Sequence, residues 1–564
     1  MCTTMIITKG ATADGSTMVT HSDDNELSDQ RIIYVPAQDL SPASTRAVID
    51  GSTTPYPRLV SRTRGPNYEM PERDDTPMIG QIPQVRHTFA YFDGNYGIMN
   101  EHNLMFGECT NGARFQPDAV SQAEAARTGK HCRLFYSAEL SRIALERCQT
   151  AREAVELMGG LIDTYGYFST GETLLVGDAD EAWVFEMCAL PDEEYHSAWA
   201  AQRVPDGTVF VAANEFRIRD LDPKDPDQRF SKLLLSGVRK LGWAKEDGGK
   251  LDWLPSVSDG EYNHPYYSLR RVWRVFDRVN PDLALSPWVN GASFTRDYPF
   301  SVAPAAGLTL DDVFGLYRDH YEGTEFDLTK GIAAGPYGDP NRFIGPYDGA
   351  QNNISDQKLF GAWERAISIF YQGYTTVSHV RPASAPNQTR GICWYGADVA
   401  YTTCFVPFPT RILDLPAAYQ TGDPQVFSRT SAWWAFDFVA NWARLNFRRM
   451  CTADILPLQR QLEVKGRAVL DEWDERFGGA DAEGLTAACA AHAGDVADAW
   501  WAMADRLIAK YSDGYVNPPD ARPQNAAATA IGYSSTWLGL TDYRDGPTTY
   551  DMRFSNARGQ GAII

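Results

Sequence analysis

A cysteine follows directly behind the initiator methionine in "MCTTMIITKG". Removal of Met1 leaves Cys2 with a thiol and a free α-amine on one residue. A thiolate is a strong nucleophile, but a free thiol, with a pKa of ~8.5, needs a base to form one. An N-terminal α-amine, with a pKa of about 7.7–8.0, is partly neutral near pH 7, and it lies beside its own side chain. Nucleophile and base then share one residue, and no histidine is required. A small second residue suits methionine trimming.

Asp24, in "THSDD", is the next candidate. A carboxylate beside the Cys2 amine can orient it. "TMIIT" (4–8) and "STMVTHS" (16–22) read as two strands of a hairpin, with a turn signal at Asp14-Gly15. A tight turn there places Asp24 opposite Met5, and a wider loop over 9–16 slides it opposite Cys2. The sequence leaves both registers open. "GIMNEHNL" and "VFVAANEFRIRD" each put an Asn at or beyond a strand, where a side-chain N–H can stabilise a tetrahedral oxyanion.

These residues need sheets to hold them. "RIIYVP", "RHTFAYF", "YGIMNE" and "NLMFGECT" continue the strand pattern, and residues 40–86 read as a long loop with short strands. "SAELSRIALERC" and "AREAVELMGGLIDTYG" then switch to helical spacing, with a weak point at Gly159-Gly160. Strands return in "ETLLVGD", "EAWVFEM", "SAWAAQRV" and "GTVFVAAN", and later in "TTVSHVRP" and "RGICWYGA". Residues 220–370 are loop-rich, with a short helix at "SLRRVWRVFDRV". From about 425 to 512 the pattern is helical. Strands, a helix pair and more strands predict sheets covered by helices rather than alternating βαβ units.

Composition narrows the function class. The chain has 564 residues, 43% hydrophobic and 22% charged, which is long enough for a large core and ordinary for a folded protein. The formal net charge of −21 comes with no basic tract, which argues against nucleic acid as a partner. The nine Cys are irregularly spaced without a C-x-x-C pair, against a disulfide scaffold and for a reducing compartment. The nine His form no H-E-x-x-H or H-x-H pattern, so no metal is expected. No signal peptide and no long apolar run is present, so the expectation is a cytoplasmic protein with no membrane partner.

The opening "CTTMIITKGATADGSTMVTHSDD" resembles the start of the N-terminal-nucleophile dipeptidases of the PepD type, relatives of the penicillin and bile-salt amidases and of the secernins. The likeness continues in order through "GIMNEHNLMFGE", "GETLLVGDADEAWVFEM", "WAAQRVPDGTVFVAANEFRIRD", "YYSLRRVWRV" and "RGICWYGADVAYTTCFVPF", over roughly residues 2–410. It implies an α+β fold, the αββα sandwich of the N-terminal-nucleophile hydrolases, with Cys2 starting a central strand. The expected division is a catalytic domain over 2–420 and a mostly helical region over 421–564 packed on it.

Carried over by position, the resemblance makes Cys2 the nucleophile, its amine the base and Asp24 the carboxylate that holds the amine. It makes Asn214 an oxyanion or amine contact and Arg271 the active-site arginine, with Arg270 as its rival. Thr110 aligns with a further oxyanion contributor, and Asn111 is the alternative. The related amidases carry Arg where this chain has His21, so His21 is either a substrate contact or a polar residue on a half-buried strand. The implied activity is hydrolysis of small peptides through a thioester, without a cofactor, in a homo-oligomer. An amidase for non-peptide acyl amides and a non-catalytic secernin-like binding protein are the alternatives.

Overall fold

The computed structural model describes residues 1–25, 29–50, 56–261, 266–289, 294–342, 363–517 and 528–541. The first strand, Cys2–Ile7, pairs antiparallel with the second, Thr17–Asp23, setting Cys2 opposite Asp23, Thr4 opposite His21 and Ile6 opposite Val19. Directly opposed residues project to one side of a sheet. Cys2, Thr4, Ile6, Val19, His21 and Asp23 therefore share a face.

The connection between these strands is not the tight turn that Asp14-Gly15 suggests. Lys9–Ala11 form a short 3₁₀ turn, and the Asp14 carboxylate accepts from the Ser16 amide at 3.0 Å and its hydroxyl at 2.6 Å. The pairing axis runs between Thr12 and Ala13. Both registers read from the sequence are thereby corrected: Asp24 lies beyond the Cys2–Asp23 pair, opposite Met1.

The two strands sit inside a seven-stranded antiparallel sheet. Its order is Ser301–Val302, Val209–Ala212, Cys2–Ile7, Thr17–Asp23, Tyr374–Val380, Gly391–Ala397 and Val406–Pro409. A second sheet of eight strands is built around Met105–Asn111, Gly171–Gly177, Ala182–Ala189 and Ser197–Arg203.

The Met105–Asn111 strand packs across the first two strands. Gly107 makes this close approach possible. A Cβ there would lie 2.6 Å from the Thr20 carbonyl oxygen and closer still to the Thr4 hydroxyl. Only glycine lets the backbones meet, and the next residue, Glu108, is thereby delivered beside Cys2.

Helices Ser137–Arg147 and Ala151–Tyr165 cover the outer side of the eight-stranded sheet. The second starts on a reciprocal capping box between Thr150 and Glu153. Gly159-Gly160 does not break it. Gly159 lies against the Trp199 ring, where a Cβ would come within 2.6 Å of Cε2, so the glycine serves close helix–sheet packing. Helices Leu269–Val279 and Leu310–Tyr317 lie against the seven-stranded sheet, touching the face of the first strand opposite to Cys2.

Helices Ala432–Ala443, Leu456–Phe477 and Ala482–Lys510 pack on one another and on the Gly391–Ala397 and Val406–Pro409 strands. All three fall within the stretch from about 425 to 512 read as helical. The first half of the last, "AEGLTAACAAHAGD", is carried by alanine, which favours helix without marking an apolar stripe. "RHTFAYF" is two short strands, His87–Thr88 and Tyr91–Asp93, rather than one. The architecture is mixed α and β with antiparallel sheets, as expected of an α+β chain. Among the described residues, no helix is long and apolar enough to cross a membrane.

Candidate active site

Cys2 is 1% exposed at the start of its strand, and its thiol donates to Glu108 Oε2 at 3.1 Å. Burial first, and then the Glu108 carboxylate, push the Cys2 thiol well up, against the pull of the chain's N-terminal ammonium. The Cys2 carbonyl accepts from Arg271 Nη1 at 2.8 Å and from the Cys109 thiol at 3.5 Å.

The Met1 ammonium donates to the Asp24 carbonyl at 3.1 Å, and its sulfur accepts from the Tyr267 hydroxyl at 2.8 Å. Burial works against the ammonium, but Cys2, Asp24, Glu108 and Asp23 together push it up to about 12. The Asp24 side chain turns to Arg365, with Oδ2 2.5 Å from Nη2 and both groups buried. Asp24 Oδ1 has no partner among the described residues. The same Arg365 nitrogen reaches the Met1 carbonyl at 3.4 Å, and Nε reaches the Tyr267 hydroxyl at 3.3 Å.

Arg271 is fully buried and all five of its N–H groups are used. Nη1 donates to the Cys2 carbonyl and to Thr3 Oγ1 at 2.9 Å. Nη2 donates to the Ala213 carbonyl at 3.1 Å and to Asn214 Oδ1 at 2.8 Å, and Nε to the Tyr267 carbonyl at 3.1 Å. Arg270, one step around the helix, points elsewhere. It pairs with Glu364 at 3.1 Å and lies against the rings of Tyr266, Trp288 and Phe326. Of the two arginines, Arg271 alone touches Cys2.

Asn214 follows the Val209–Ala212 strand with φ of +66°, a left-handed conformation that Asn tolerates better than most residues. Its amide Nδ2 donates to the Thr110 carbonyl at 2.6 Å, and its backbone N–H to Cys109 Sγ at 2.9 Å. Thr110 also donates its hydroxyl to Glu108 Oε1 at 2.9 Å. Asn111 donates to Thr173 Oγ1 at 2.6 Å. Thr110 is thus the member of this pair joined to the Glu108 that meets Cys2.

His21 is 2% exposed, not half-buried, and its Nε2 lies 3.4 Å from Glu108 Oε2. Tyr96 and Tyr374 pack edge-on against its ring. Glu108 therefore joins Cys2, His21 and Thr110. Burial opposes its ionisation, yet hydrogen bonds from Glu172 and His21 and the positive N-terminus hold it at about 2. Burial, and then the charge on Glu108, push Glu172 well up. Tyr136 donates to Glu172 at 2.7 Å and meets the Tyr96 hydroxyl at 3.0 Å. A cleft of about 130 Å³ opens at this end of the chain of hydroxyls, lined by Tyr96, Tyr136, Asn95, Ser169, Tyr68 and Arg58.

Glu108, Glu172 and Arg365 were not singled out from sequence. A lone Glu inside the apolar run "NLMFGECT" was a legible signal for the first. Arg365 carries none, because it reaches Asp24 across 341 residues. The absence of a metal-ligand spacing was also a statement about the chain alone. Sheet pairing brings Cys2, His21 and Asp23 together, with donor atoms within 4.8 Å of one another, the one such group among the described residues.

A sequence model of peptidase family C69 matches residues 1–456. The chain is 23% identical over 465 residues to a probable dipeptidase of Latilactobacillus sakei, covering 80% of this chain and 83% of that one. It is 24% identical over 510 residues to a dipeptidase of Bifidobacterium longum, covering 86% and 84%. It is 22% identical over 458 residues to dipeptidase A of Lactobacillus helveticus, covering 79% and 82%.

Proposed function

The chain belongs to peptidase family C69, and from that premise we propose that it is a cysteine-type dipeptidase acting through Cys2 after loss of Met1. The observation that carries the mechanism is the buried Asp24 Oδ1, which has no partner among the described residues, on a carboxylate fixed through Oδ2 by Arg365, whose same nitrogen reaches the Met1 carbonyl. Once Met1 leaves, the Cys2 amine becomes an ammonium or amine at that place. Asp24 then orients it, and Arg365 holds the Asp24 carboxylate in place through Oδ2.

The reaction follows from these positions. The Cys2 amine takes the thiol proton, and the sulfur attacks the peptide carbonyl carbon. The oxyanion draws on nearby N–H donors, among them the second N–H of the Asn214 amide, which has no partner among the described residues. The amine passes its proton to the leaving nitrogen, the C–N bond breaks, and a thioester remains. Water, deprotonated by the same amine, attacks the thioester and releases the acid and the thiol. Arg271 touches no reacting atom; it positions Cys2 through its carbonyl.

The facing sheets with helices outside both support reading the fold as the αββα sandwich of the N-terminal-nucleophile hydrolases. Residues 2–420 form the catalytic domain in this reading, since every site residue lies there. The 421–564 region buttresses its far edge through the helices that rest on Val406–Pro409. A homo-oligomer in the cytoplasm belongs to the same proposal, and size-exclusion chromatography tests its assembly. Intact-mass analysis together with a dipeptide panel tests the core of it. The expected result is a chain lacking Met1 that cleaves dipeptides and a Cys2→Ala variant that does not. Hydrolysis of acyl amides without dipeptide cleavage points to an amidase instead, and no hydrolysis of either to a binding protein.

A further inference from the structure

A carboxylate 3.1 Å from a nucleophilic thiol is an odd arrangement. Glu108 is ionised and opposes formation of the thiolate, and it cannot serve as the base because its own proton affinity is too low. Nor is its place accidental. Gly107 delivers it, and the Thr110 hydroxyl fixes Oε1. We propose that Glu108 binds the free α-ammonium of the substrate and so confines turnover to peptides with an unblocked N-terminus. The assignment rests on the dipeptidase reading and names the residue that recognises one end of the dipeptide.

The geometry of an amino acid supports it. The α-nitrogen lies about 2.5 Å from its own carbonyl carbon. In a reactive complex that carbon sits ~3–3.5 Å from the attacking atom. The ammonium of the first residue therefore falls within about 5 Å of Cys2 Sγ, and Glu108 Oε2 is the carboxylate oxygen hydrogen-bonded to that sulfur. An interior residue of a longer chain presents an acylated, neutral nitrogen at the same point and cannot make the contact.

The charges agree. Glu108 is held low while Glu172 is pushed up, so the pair presents negative charge to an ammonium. The surroundings already stabilise such a group: Glu108 and Asp23 are among the acids that favour the buried Met1 ammonium. Substrate binding also resolves the oddity. With an ammonium on Glu108, the carboxylate no longer repels the thiolate, so the substrate itself makes the nucleophile easier to ionise.

The test compares alanyl-phenylalanine with propionyl-phenylalanine, which differs only in lacking the amino group. Wild-type enzyme is expected to favour the first in kcat/KM on the order of 100-fold, the weight of a charge-assisted contact at a dry site. In Glu108→Gln that preference collapses: the dipeptide loses on the order of 100-fold, whereas the propionyl compound, no longer facing a carboxylate that opposes the thiolate, loses nothing and gains if anything. Glu108→Asp keeps the charge and retains part of the preference. Equal loss on both compounds in Glu108→Gln overturns the assignment, since Glu108 then acts on Cys2 alone. Wild type that treats both compounds alike overturns it without any variant. Wild type that cleaves neither overturns the dipeptidase reading itself, and the two failures are thereby told apart.

Discussion

Asp24 Oδ2 and Arg365 Nη2 meet 2.5 Å apart in a buried ion pair at the very first residue of the chain, with the two side chains 0% and 3% exposed. This relationship gives Asp24 two duties at once. One oxygen anchors the carboxylate on Arg365, and the other, without a partner among the described residues, is the one the proposed mechanism gives to the Cys2 amine.

Asp24→Asn should therefore cost both stability and rate. It leaves the Arg365 guanidinium buried and unpaired, a loss of about 3–5 kcal/mol, and leaves the Cys2 amine unheld. Pairing it with Arg365→Met should recover part of the stability and none of the activity. Denaturant unfolding and dipeptide kinetics on the two single variants and the double one separate the effects. Full recovery of kcat in the double variant would remove Asp24 from the mechanism.

Arg271→Lys should lower kcat while leaving KM nearly unchanged. A lysine offers three donors where Arg271 uses five, so the Cys2 carbonyl and the Asn214 amide lose their common support. A misplacement of about 1 Å can cost on the order of a hundredfold in rate. A rise in KM with kcat intact would instead put Arg271 on the substrate.

Much of this site was legible in the sequence, and the misses have one cause. Cys2, Asp24, Asn214 and Arg271 announce themselves by position in recognisable runs, and the strands that carry them alternate cleanly enough to be read. The hairpin register was not readable, because Asp14-Gly15 looks like a tight turn while the real connection is a longer loop pinned by Asp14 on Ser16. Glu108 lies one residue from a glycine whose purpose, contact with Thr4 and Thr20, exists only between sheets. The Arg365 partnership and the Cys2–His21–Asp23 grouping are likewise products of tertiary pairing that local spacing does not encode.

Stability should fall as pH rises from about 4.3 to about 7 because of Glu186. Its carboxylate accepts from the Arg217 and Ile218 amides and from Trp253 Nε1, bracing the segment just after Asn214. Burial nevertheless pushes it up to about 7. A carboxyl whose folded pKa is raised releases its proton more readily when unfolded, so its contribution is complete below about pH 4.3 and is lost as pH climbs to about 7. Above that the loss is constant. Glu186→Gln should remove this part of the slope between pH 4.5 and 7 in urea unfolding. An identical slope in the variant would show that Glu186 stays ionised throughout.

Zinc should inhibit. Cys2, His21 and Asp23 present one sulfur, one nitrogen and one oxygen within 4.8 Å of one another, a donor set suited to a borderline-soft cation. Micromolar zinc is expected to stop turnover reversibly and a chelator to restore it, while the chelator alone leaves a fresh preparation active. His21→Ala should weaken the inhibition at least tenfold, the scale of losing one ligand. Inhibition unchanged in that variant would place the ion elsewhere.

Removal of Met1 should be the switch for activity. With Met1 attached, the Cys2 nitrogen is an amide whose lone pair is delocalised, so it cannot take the thiol proton. Met1 is also held in place: its sulfur by Tyr267, its carbonyl by Arg365 and its ammonium by the Asp24 backbone. The group that must serve as base is displaced by a whole residue, and the acids meant for it are spent on the wrong ammonium. A chain with an uncleavable N-terminal extension should fold with a normal unfolding transition and yet leave dipeptides uncut. Trimming that extension to expose Cys2 should restore hydrolysis. If the verified intact, extended chain turns over as fast as the trimmed one, the thiol has another base, and the amine held by Asp24 is not it.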